Sequence, residues 1–459
     1  MIAKDLLDKV LQKAMSSGAD FAEIFVERTK GNTIEMIDGK IDGITDNLIA
    51  GAGLRIFKGL RSIFASTTDL SEKGLLACAA QAAGALASGT AEVTIRLAET
   101  IPANIHRIER VPSGVPGRVK AEIIRQAYFG AKEYHPAISQ VSARLMDTDR
   151  NILIANSDGL LTGDRQIRTR LFVSAVASRD GENQSGSAGP GRQMGLEMFD
   201  RIDPRQVGTE AARQAITMLS AGYCPAGRMP VAIENGFGGI IFHEACGHSL
   251  EATSVAKGRS QFTGRLGEQI ANIKVTAVDD GTIPGAWGSV NIDDEGMPSQ
   301  KNILIENGIL KSYMIDGLNA RRMGMAPTGS GRRQNYLYEP TSRMTNTYIA
   351  DGPDQNEEII RSIHHGLYAK QMGGGSVNPV TGEFNFSVTE GYMIRNGEIQ
   401  EAVRGASLIG RGSDILMDID MVGKNLDYGQ GMCGSVSGSI PVNVGQPLLR
   451  VSSITVGGR

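Results

Sequence analysis

Turn-forming dipeptides that contain glycine recur along this sequence and divide much of it into short segments of alternating hydrophobicity. Asn307-Gly308 and Asn396-Gly397 are of the kind that closes two-residue β-hairpins. Glycine accounts for 58 of the 459 residues, well above its usual share of about 7%. These features predict a chain rich in antiparallel strands, tight turns and close approaches between backbone segments.

The first half of the sequence combines such strands with amphipathic helices. Apolar residues at helical spacing predict a helix over residues 3–15. Asp203-Pro204 supplies an N-cap and a first-turn proline for a second helix, over residues 203–221. Short strands are predicted between the two, separated by turns at Lys30-Gly31, Asp38-Gly39 and Asp42-Gly43.

The pattern breaks at residues 223–227, which read YCPAG. We predict an α+β fold of two domains that meet here: an N-terminal domain of helices and antiparallel sheet, residues 1–225, and a C-terminal, sheet-rich domain, residues 226–459. In the second domain we expect a helix that begins near Phe237 and carries the candidate metal-binding residues. Further helices are predicted over residues 317–323 and 357–370.

Composition and charge exclude several classes of protein. With 47 basic and 50 acidic residues, the formal charge is −3, so a generally basic nucleic-acid-binding surface is not expected. The apolar stretches are too short to span a bilayer, and the first helix carries charges among its apolar positions, unlike a signal peptide. Four cysteines do not form a disulfide framework in a chain of this length. We therefore expect a cytoplasmic protein that binds neither membranes nor nucleic acid directly.

The candidate site of chemistry is the run His243-Glu-Ala-Cys-Gly-His248, in which two histidines flank an acid. In the H-E-x-x-H motif of zinc proteases, the two imidazoles lie within about 40° of each other on the helix surface. One extra residue puts them about 140° apart on an ideal helix, so both reach one metal ion only if the helix is unwound or bulged. Gly247 is the position where we expect such a distortion to cost least.

A catalytic zinc ion takes three protein ligands and keeps one position open. The residues alone leave the third ligand undecided among five side chains: Glu251, Cys246, Cys433, His364 and His365. Cys433 lies in a glycine-dense stretch that permits close approach to a buried ion, and Glu251 is alternatively an acid that supports His248 from outside. Ordinary packing or a solvated helix face also accounts for each of these residues.

Two later segments are polar and rich in small residues. The stretch GSGRR, which ends with Arg332 and Arg333, has the composition of an anion-binding loop. The stretch RMTNT, which begins with Arg343, is a candidate lining of a cleft. For both we favour the simpler interpretation, which is loop architecture or an interface salt bridge.

The motif and the segments after it resemble one known family. The matching runs are, in order, IFHEACGHSLEATSVAK at 241–257, VDDGTIP at 278–284, DDEG at 293–296, NARRMG at 319–324, TGSGRR at 328–333, RMTNT at 343–347 and GMCG at 431–434. Together they resemble the TldD branch of the TldD/PmbA family of metalloproteases. The resemblance spans the second half of the chain, and the N-terminal layout agrees more loosely.

This resemblance implies a zinc-dependent peptidase of the H-E-x-x-x-H type. Carried over residue by residue, it implies the metal ligands His243, His248 and Cys433, and Glu244 as the catalytic acid and base. It also implies a dimer, with an identical chain or with a PmbA/TldE-like paralogue, in which the subunits enclose the active site. Unfolded or flexible peptides are the implied substrates.

Two other functions are compatible with the same residues. One is a non-catalytic peptide-binding or regulatory scaffold with a structural metal site, and the other is a different metal hydrolase, such as an amidase. The intact Glu244 favours catalysis, because structural zinc sites are more often closed by four ligands.

Overall fold

The computed structural model describes residues 2–86, 89, 91, 93–378 and 381–459 of the chain. It has a mixed α+β fold of several domains, which confirms the predicted fold class. Within the described ranges, the helices are too short or too polar to cross a membrane.

The N-terminal half is built on one long sheet. Its strands are β1 (Phe21–Ile37), β2 (Lys40–Lys58), β3 (Arg61–Thr67), β4 (Ala98–Glu99), β5 (Ile138–Asn156), β6 (Leu160–Arg179), β7 (Glu182–Ala188) and β8 (Gly191–Arg192). They lie in the order β3-β2-β1-β5-β6-β4, and β7 and β8 both pair with β6. The long strands pair antiparallel, as the sequence predicts.

Two pairs of helices cover this sheet. The helices are α1 (Lys4–Met15), α2 (Glu72–Leu86), α3 (Gly117–Lys132) and α4 (Pro204–Leu219). Leu7 and Leu11 of α1 share an apolar cluster with Leu75 of α2 and with β1 and β2, whereas α3 and α4 pack in a second cluster with β5 and β6. The carboxylate of Asp203 accepts a hydrogen bond from the amide of Arg205, which confirms the predicted start of α4.

Two of the predicted turns in this half are wrong. Lys30-Gly31 lies within β1 and Asp42-Gly43 within β2, and the two strands pair as far as the turn at Asp38-Gly39, with one shift of register at Asp42. Gly31 lies opposite Asn47, and a Cβ atom on it would lie 2.3 Å from the Asn47 side-chain oxygen. Gly31 is thus a strand residue opposite the exposed side chain of Asn47 and does not form a turn.

The C-terminal half contains two larger sheets. Its strands are β9 (Gly222–Tyr223), β10 (Gly227–Ile233), β11 (Ala277–Asp280), β12 (Lys301–Glu306), β13 (Ile309–Leu310), β14 (Gly331–Arg332), β15 (Thr341–Ser342), β16 (Asn346–Ile349), β17 (His365–Val377), β18 (Glu383–Arg395), β19 (Glu398–Arg404), β20 (Ser407–Arg411), β21 (Ile419–Val422), β22 (Asp427–Ser435), β23 (Gly438–Gln446) and β24 (Leu449–Gly457). One sheet has the order β17-β10-β24-β20-β18-β19-β9, with β21 on β24, and the other has the order β13-β12-β11-β16-β23-β22. Strands β14 and β15 pair separately.

Short helices connect these strands. They are α5 (Ile240–Phe242), α6 (Ala252–Val255), α7 (Gly317–Met323), α8 (Asn356–Arg361) and α9 (Gly412–Asp418). The prediction of α7 is confirmed, as are the hairpin turns at Asn307-Gly308 and Asn396-Gly397, where all four residues have positive φ. The helix predicted over 357–370 is wrong beyond Arg361, because the chain continues as strand β17.

Buried ion pairs join the N-terminal sheet to loops of the C-terminal half. Arg55 pairs with both Glu23 and Glu295, and Arg333 pairs with Glu23 at 2.6 Å, and all four side chains are buried. The loop that contains Arg333 is thus part of this contact and not a free anion-binding loop. This agrees with the simpler interpretation of its sequence, an interface salt bridge.

Candidate metal centre

The helical segment that carries the motif changes its type at the histidines. A 3₁₀ turn at Phe237–Gly239 leads through α5 into a π-helical turn over His243–Gly247, and a 3₁₀ turn over His248–Leu250 follows. The amide of His248 donates a hydrogen bond to the carbonyl of His243, five residues earlier. This bond defines a π-turn, and the bulge that the motif spacing predicts is therefore confirmed.

The π-turn brings both imidazoles to one side of the helix, where they meet Cys433. The two rings lie edge to face with their centroids 5.2 Å apart. The Nε2 atom of each histidine lies 3.3 Å from the Cys433 sulfur, and the three potential ligand atoms all lie within 4.8 Å of one another. Zinc–sulfur and zinc–nitrogen bonds of about 2.3 and 2.0 Å at a tetrahedral angle separate such atoms by about 3.5 Å. The three side chains therefore fit a zinc ion.

Gly247 has a different role in this segment from the predicted one. Its backbone angles, φ −55° and ψ −51°, are ordinary helical values, so the bulge does not depend on the conformational freedom of glycine. A Cβ atom at this position would lie 2.4 Å from the sulfur of Met344. Gly247 thus provides room for Met344 against the helix.

Cys433 lies on β22, an edge strand of its sheet, where it is paired with Ile440 of β23. Burial raises the pKa of its thiol. The charges of His243 and His248, and the hydrogen bonds that these residues make to the sulfur, outweigh burial and bring the pKa to about 4. For His248, burial lowers the pKa, while Glu251 and Cys433 raise it to well above its ordinary value. The side chains alone thus favour a thiolate beside a protonated imidazole, and the thiolate is the form of cysteine that binds metals.

Glu244 lies on the accessible side of this group. One of its carboxylate oxygens is 3.7 Å from Nε2 of His248, and 29% of its side chain is exposed. In contrast, His243 and Cys433 are almost fully buried. A partly exposed carboxylate next to the potential ligands is suitably placed to exchange protons with a molecule bound there.

Glu251 contacts the outer nitrogen of His248 and not the face where the ligand atoms converge. Its Oε2 atom lies 3.1 Å from Nδ1 of His248. A carboxylate in this position fixes the orientation of a metal-binding imidazole and makes it a better donor. Of the two roles left open for Glu251, the geometry corresponds to support from outside.

The structure places the remaining candidates for a third ligand elsewhere. Cys246 is buried, its thiol donates to the carbonyl of Gly412 at 3.5 Å, and burial raises its pKa. His364 and His365 are exposed, and His365 begins strand β17. Among the described residues, the group of three potential ligand atoms that converge is His243, His248 and Cys433.

The stretch RMTNT is a candidate lining of a cleft in sequence, but its first residue, Arg343, does not line one. It is fully buried behind Cys433 and donates to the carbonyl of that residue and to the hydroxyl of Ser437. The contact with Ser437 was not predictable from spacing, because the two residues lie more than ninety positions apart, in different segments of the chain. The only signal for Arg343 was its place in one of the segments that carry the family resemblance.

Comparisons with known proteins identify the family of the chain. Three family models cover most of the chain: PmbA/TldA metallopeptidase domain 1 at residues 22–86, the central domain at 110–219 and the C-terminal domain at 226–458. The chain belongs to the PmbA/TldD family of metallopeptidases. It is 38% identical to the metalloprotease TldD homolog of Haemophilus influenzae, across 96% of this chain and 93% of that protein.

Further matches are an archaeal relative and two solved structures. The zinc metalloprotease TldD homolog of Saccharolobus solfataricus is 27% identical over 98% of this chain and 99% of its own length. The crystal structure of TldE from Thermococcus kodakarensis covers 99% of this chain and all of its own, with a TM-score of 0.77 and 19% identity. A crystal structure of a Thermotoga maritima protein matches with a TM-score of 0.81 and 22% identity, over 99% of this chain and all of its own. The two structural matches establish the fold.

Proposed function

We propose that this protein is a zinc-dependent peptidase in which His243, His248 and Cys433 bind the metal. The observation that carries the proposal is the convergence of two imidazole nitrogens on one thiol, each at 3.3 Å, across a π-turn. Three ligands leave one coordination position open, as catalytic zinc sites require. The name of the Saccharolobus relative, a zinc metalloprotease, supports the choice of metal.

Glu244 is the general base and acid in this proposal. When bound, zinc supplies Lewis acidity, which activates water and polarises the scissile carbonyl. The Glu244 carboxylate, on the exposed side of the group, takes a proton from the attacking water and delivers it to the leaving amine. Glu251 holds Nδ1 of His248, which fixes the orientation of the imidazole and keeps its Nε2 atom directed at the metal position.

Flexible or unfolded peptides are the proposed substrates. Cys433 lies on an edge strand, β22, whose sequence DYGQGMCGS is rich in glycine. An extended peptide held beside such an edge is bound mainly through its backbone, so that a folded protein is excluded while side-chain sequence matters little. A complex in which a bound peptide contacts no strand edge would contradict this part of the proposal.

The protein is proposed to act as a cytoplasmic dimer, with an identical chain or with a PmbA/TldE-like paralogue, and without direct contact to nucleic acid. The formal charge of −3 supports the last point. Light scattering on the purified protein tests the homodimer: a mass of twice 48.8 kDa is expected. A monomer that gains mass only with the paralogue would support the heterodimer instead.

The experiment that tests the proposed reaction compares wild type with Glu244→Gln. The zinc-loaded wild type is expected to cleave unstructured peptides, and Glu244→Gln is expected to retain its zinc and lose at least about 100-fold in kcat. Glu398→Gln, an exposed carboxylate on β19, is the control and should cleave like wild type. Full activity of Glu244→Gln would contradict its role, and zinc binding without any cleavage by wild type would favour the scaffold. Mass spectrometry on a panel of peptides and small amides identifies the bond that is cut.

A further inference from the structure

Glu251 and Arg343 lie behind the candidate metal ligands and contact both parts of the chain that supply them. Glu251 follows the 3₁₀ turn of the motif segment and holds Nδ1 of His248 at 3.1 Å. Arg343 lies in a loop after β15 and donates from Nη2 to the carbonyl of Cys433. Glu251 thus supports one of the two helical ligands, His248, and Arg343 supports the ligand on β22.

Arg343 also holds the turn that returns from Cys433. Its Nη1 atom donates to the hydroxyl of Ser437 at 2.8 Å and to the carbonyl of Gly438 at 2.9 Å. These two residues lie at the turn from β22 into β23. A single guanidinium therefore fixes both the cysteine backbone and the hairpin that carries it.

The two side chains also face each other. Oε1 of Glu251 and Nε of Arg343 are 3.9 Å apart, and both atoms are buried without a hydrogen-bond partner among the described residues. Unpaired buried polar atoms are costly. A movement of about 1 Å would bring this pair to the usual hydrogen-bond distance of about 2.9 Å, so the two residues are placed to connect the helix to the hairpin directly.

We propose that Glu251 and Arg343 form a positioning pair that holds His248 and Cys433 in register for the metal, and that their mutual contact closes when the metal binds. Neither residue touches the metal or the substrate in this proposal. It rests on the ligand set of the proposed function. Its consequence is that loss of either residue weakens metal binding, and that the two losses are not additive, because both disrupt one connection.

The chain provides matched controls for both residues. Glu398 is a glutamate exposed on β19, so Glu398→Gln makes the same chemical change as Glu251→Gln and should leave zinc affinity unchanged. Arg332 is another buried arginine, which donates to the carbonyl of Met344 at 2.6 Å. Arg332→Met removes a buried guanidinium of the same kind but leaves in place the contacts of Arg343 with Glu251 and Cys433.

The experiment measures the zinc Kd of the full chain by competition with a chromogenic chelator. Glu251→Gln and Arg343→Met are each expected to weaken zinc binding by about 10- to 100-fold. The double variant should bind zinc as tightly as the single variant with the lower affinity. With cobalt in place of zinc, the sulfur-to-metal absorption band should change in Arg343→Met and stay as in wild type in Arg332→Met. Arg343→Lys should restore part of the affinity.

Three results would overturn the proposal. They are wild-type zinc affinity in Glu251→Gln, additive losses in the double variant, and an equal loss of affinity in Arg332→Met, which would indicate a general effect on stability. Glu251→Gln is nearly isosteric and keeps the test valid if Arg343→Met does not fold. A failure of the proposed function itself is distinguishable, since wild type would then either bind no zinc at these ligands or bind zinc without cleaving any peptide.

Discussion

His248 donates its amide hydrogen bond to the carbonyl of His243, five residues earlier in the chain instead of four. On a regular helix the two imidazoles of this motif would diverge, and the π-turn removes that divergence. The result is a pair of rings with centroids 5.2 Å apart, beside a thiol from a strand far along the chain. The predictions below follow from this arrangement.

Gly247→Ala is expected to destabilise the protein by about 1–3 kcal/mol, because the new methyl group would overlap the sulfur of Met344. Zinc affinity should fall as well, since the π-turn ends at this residue. Urea denaturation and zinc titration measure the two effects. Met344→Ala is destabilising by itself, because Met344 is fully buried, but it should cost less in the Gly247→Ala background than in wild type. The control is Gly434→Ala, next to Cys433, where a Cβ atom meets nothing within 4 Å.

Cys433→Ser and Cys246→Ser should have opposite outcomes for metal binding. Both cysteines are buried, but only Cys433 lies at the imidazole nitrogens, whereas Cys246 donates to the Gly412 carbonyl. Zinc affinity in Cys433→Ser is expected to fall by more than the roughly 100-fold typical of changes outside the ligand shell. Equal zinc affinities of the two variants, measured by chelator competition, would be incompatible with the proposed ligand set.

Removal of the metal should lower both activity and stability. Chelation is expected to abolish peptide cleavage, and zinc should restore it. Because zinc binds the folded state, an excess of 100 times Kd should stabilise the chain by about 2.7 kcal/mol. The melting temperature of wild type should therefore rise when zinc is added, while that of Cys433→Ser should rise little. A zinc effect of the same size in both proteins would locate the binding elsewhere.

His106 should contribute to acid sensitivity independently of the metal. Burial and the positive charge of Arg168 lower its pKa to about 4, compared with about 6.5 in an unfolded chain. Between these two values the unfolded chain binds the extra proton, so stability is lost as the pH falls from about 6.5 to 4, by at most about 3 kcal/mol.

The free energy of unfolding in urea at pH 7 and pH 5 tests this contribution. His106→Gln should lose less stability between the two values than wild type does. The control is His364→Gln, which changes an exposed histidine and should follow wild type. An unchanged pH dependence in His106→Gln would rule out the proposed contribution of His106.

Local chemistry predicts several elements of this fold, and the reasons are visible at single residues. Asn307-Gly308 and Asn396-Gly397 form turns because asparagine and glycine both tolerate positive φ. Asp203 caps α4 through a bond to an amide two residues away. The distortion at the motif follows from helix geometry once both histidines are expected to bind one metal ion, because at this spacing they meet only if the helix is unwound or bulged.

Features that depend on distant contacts were not predictable in the same way. Gly31 resembles a turn residue in sequence, but it lies within β1, where it pairs with Asn47 of β2 and Thr148 of β5. Residues 365–369 continue a helical spacing of apolar residues, yet they form part of β17, where Leu367 to Ala369 are buried beside β10. A strand buried on both faces shows no alternation to distinguish it from a buried helix.

In the candidate site, too, the local features were predictable from the sequence and the distant contacts were not. The residues place two histidines and Glu244 on one helix, but spacing alone leaves the third ligand open among five residues, because Cys433 lies 190 positions from His243. The family resemblance pointed to Cys433, and the structure brings its sulfur to the two imidazoles. The role of Arg343 became visible only through its contact with the Cys433 carbonyl.

X-ray absorption at the zinc edge of the metal-loaded wild type tests the central claim most directly, because it reports the atoms bound to the metal. We predict one sulfur at about 2.3 Å and two imidazole nitrogens at about 2.0 Å, with a light atom in the remaining position. In Cys433→Ser the sulfur contribution should disappear. A wild-type spectrum without sulfur, or without imidazole, would contradict the proposal that His243, His248 and Cys433 hold one zinc ion.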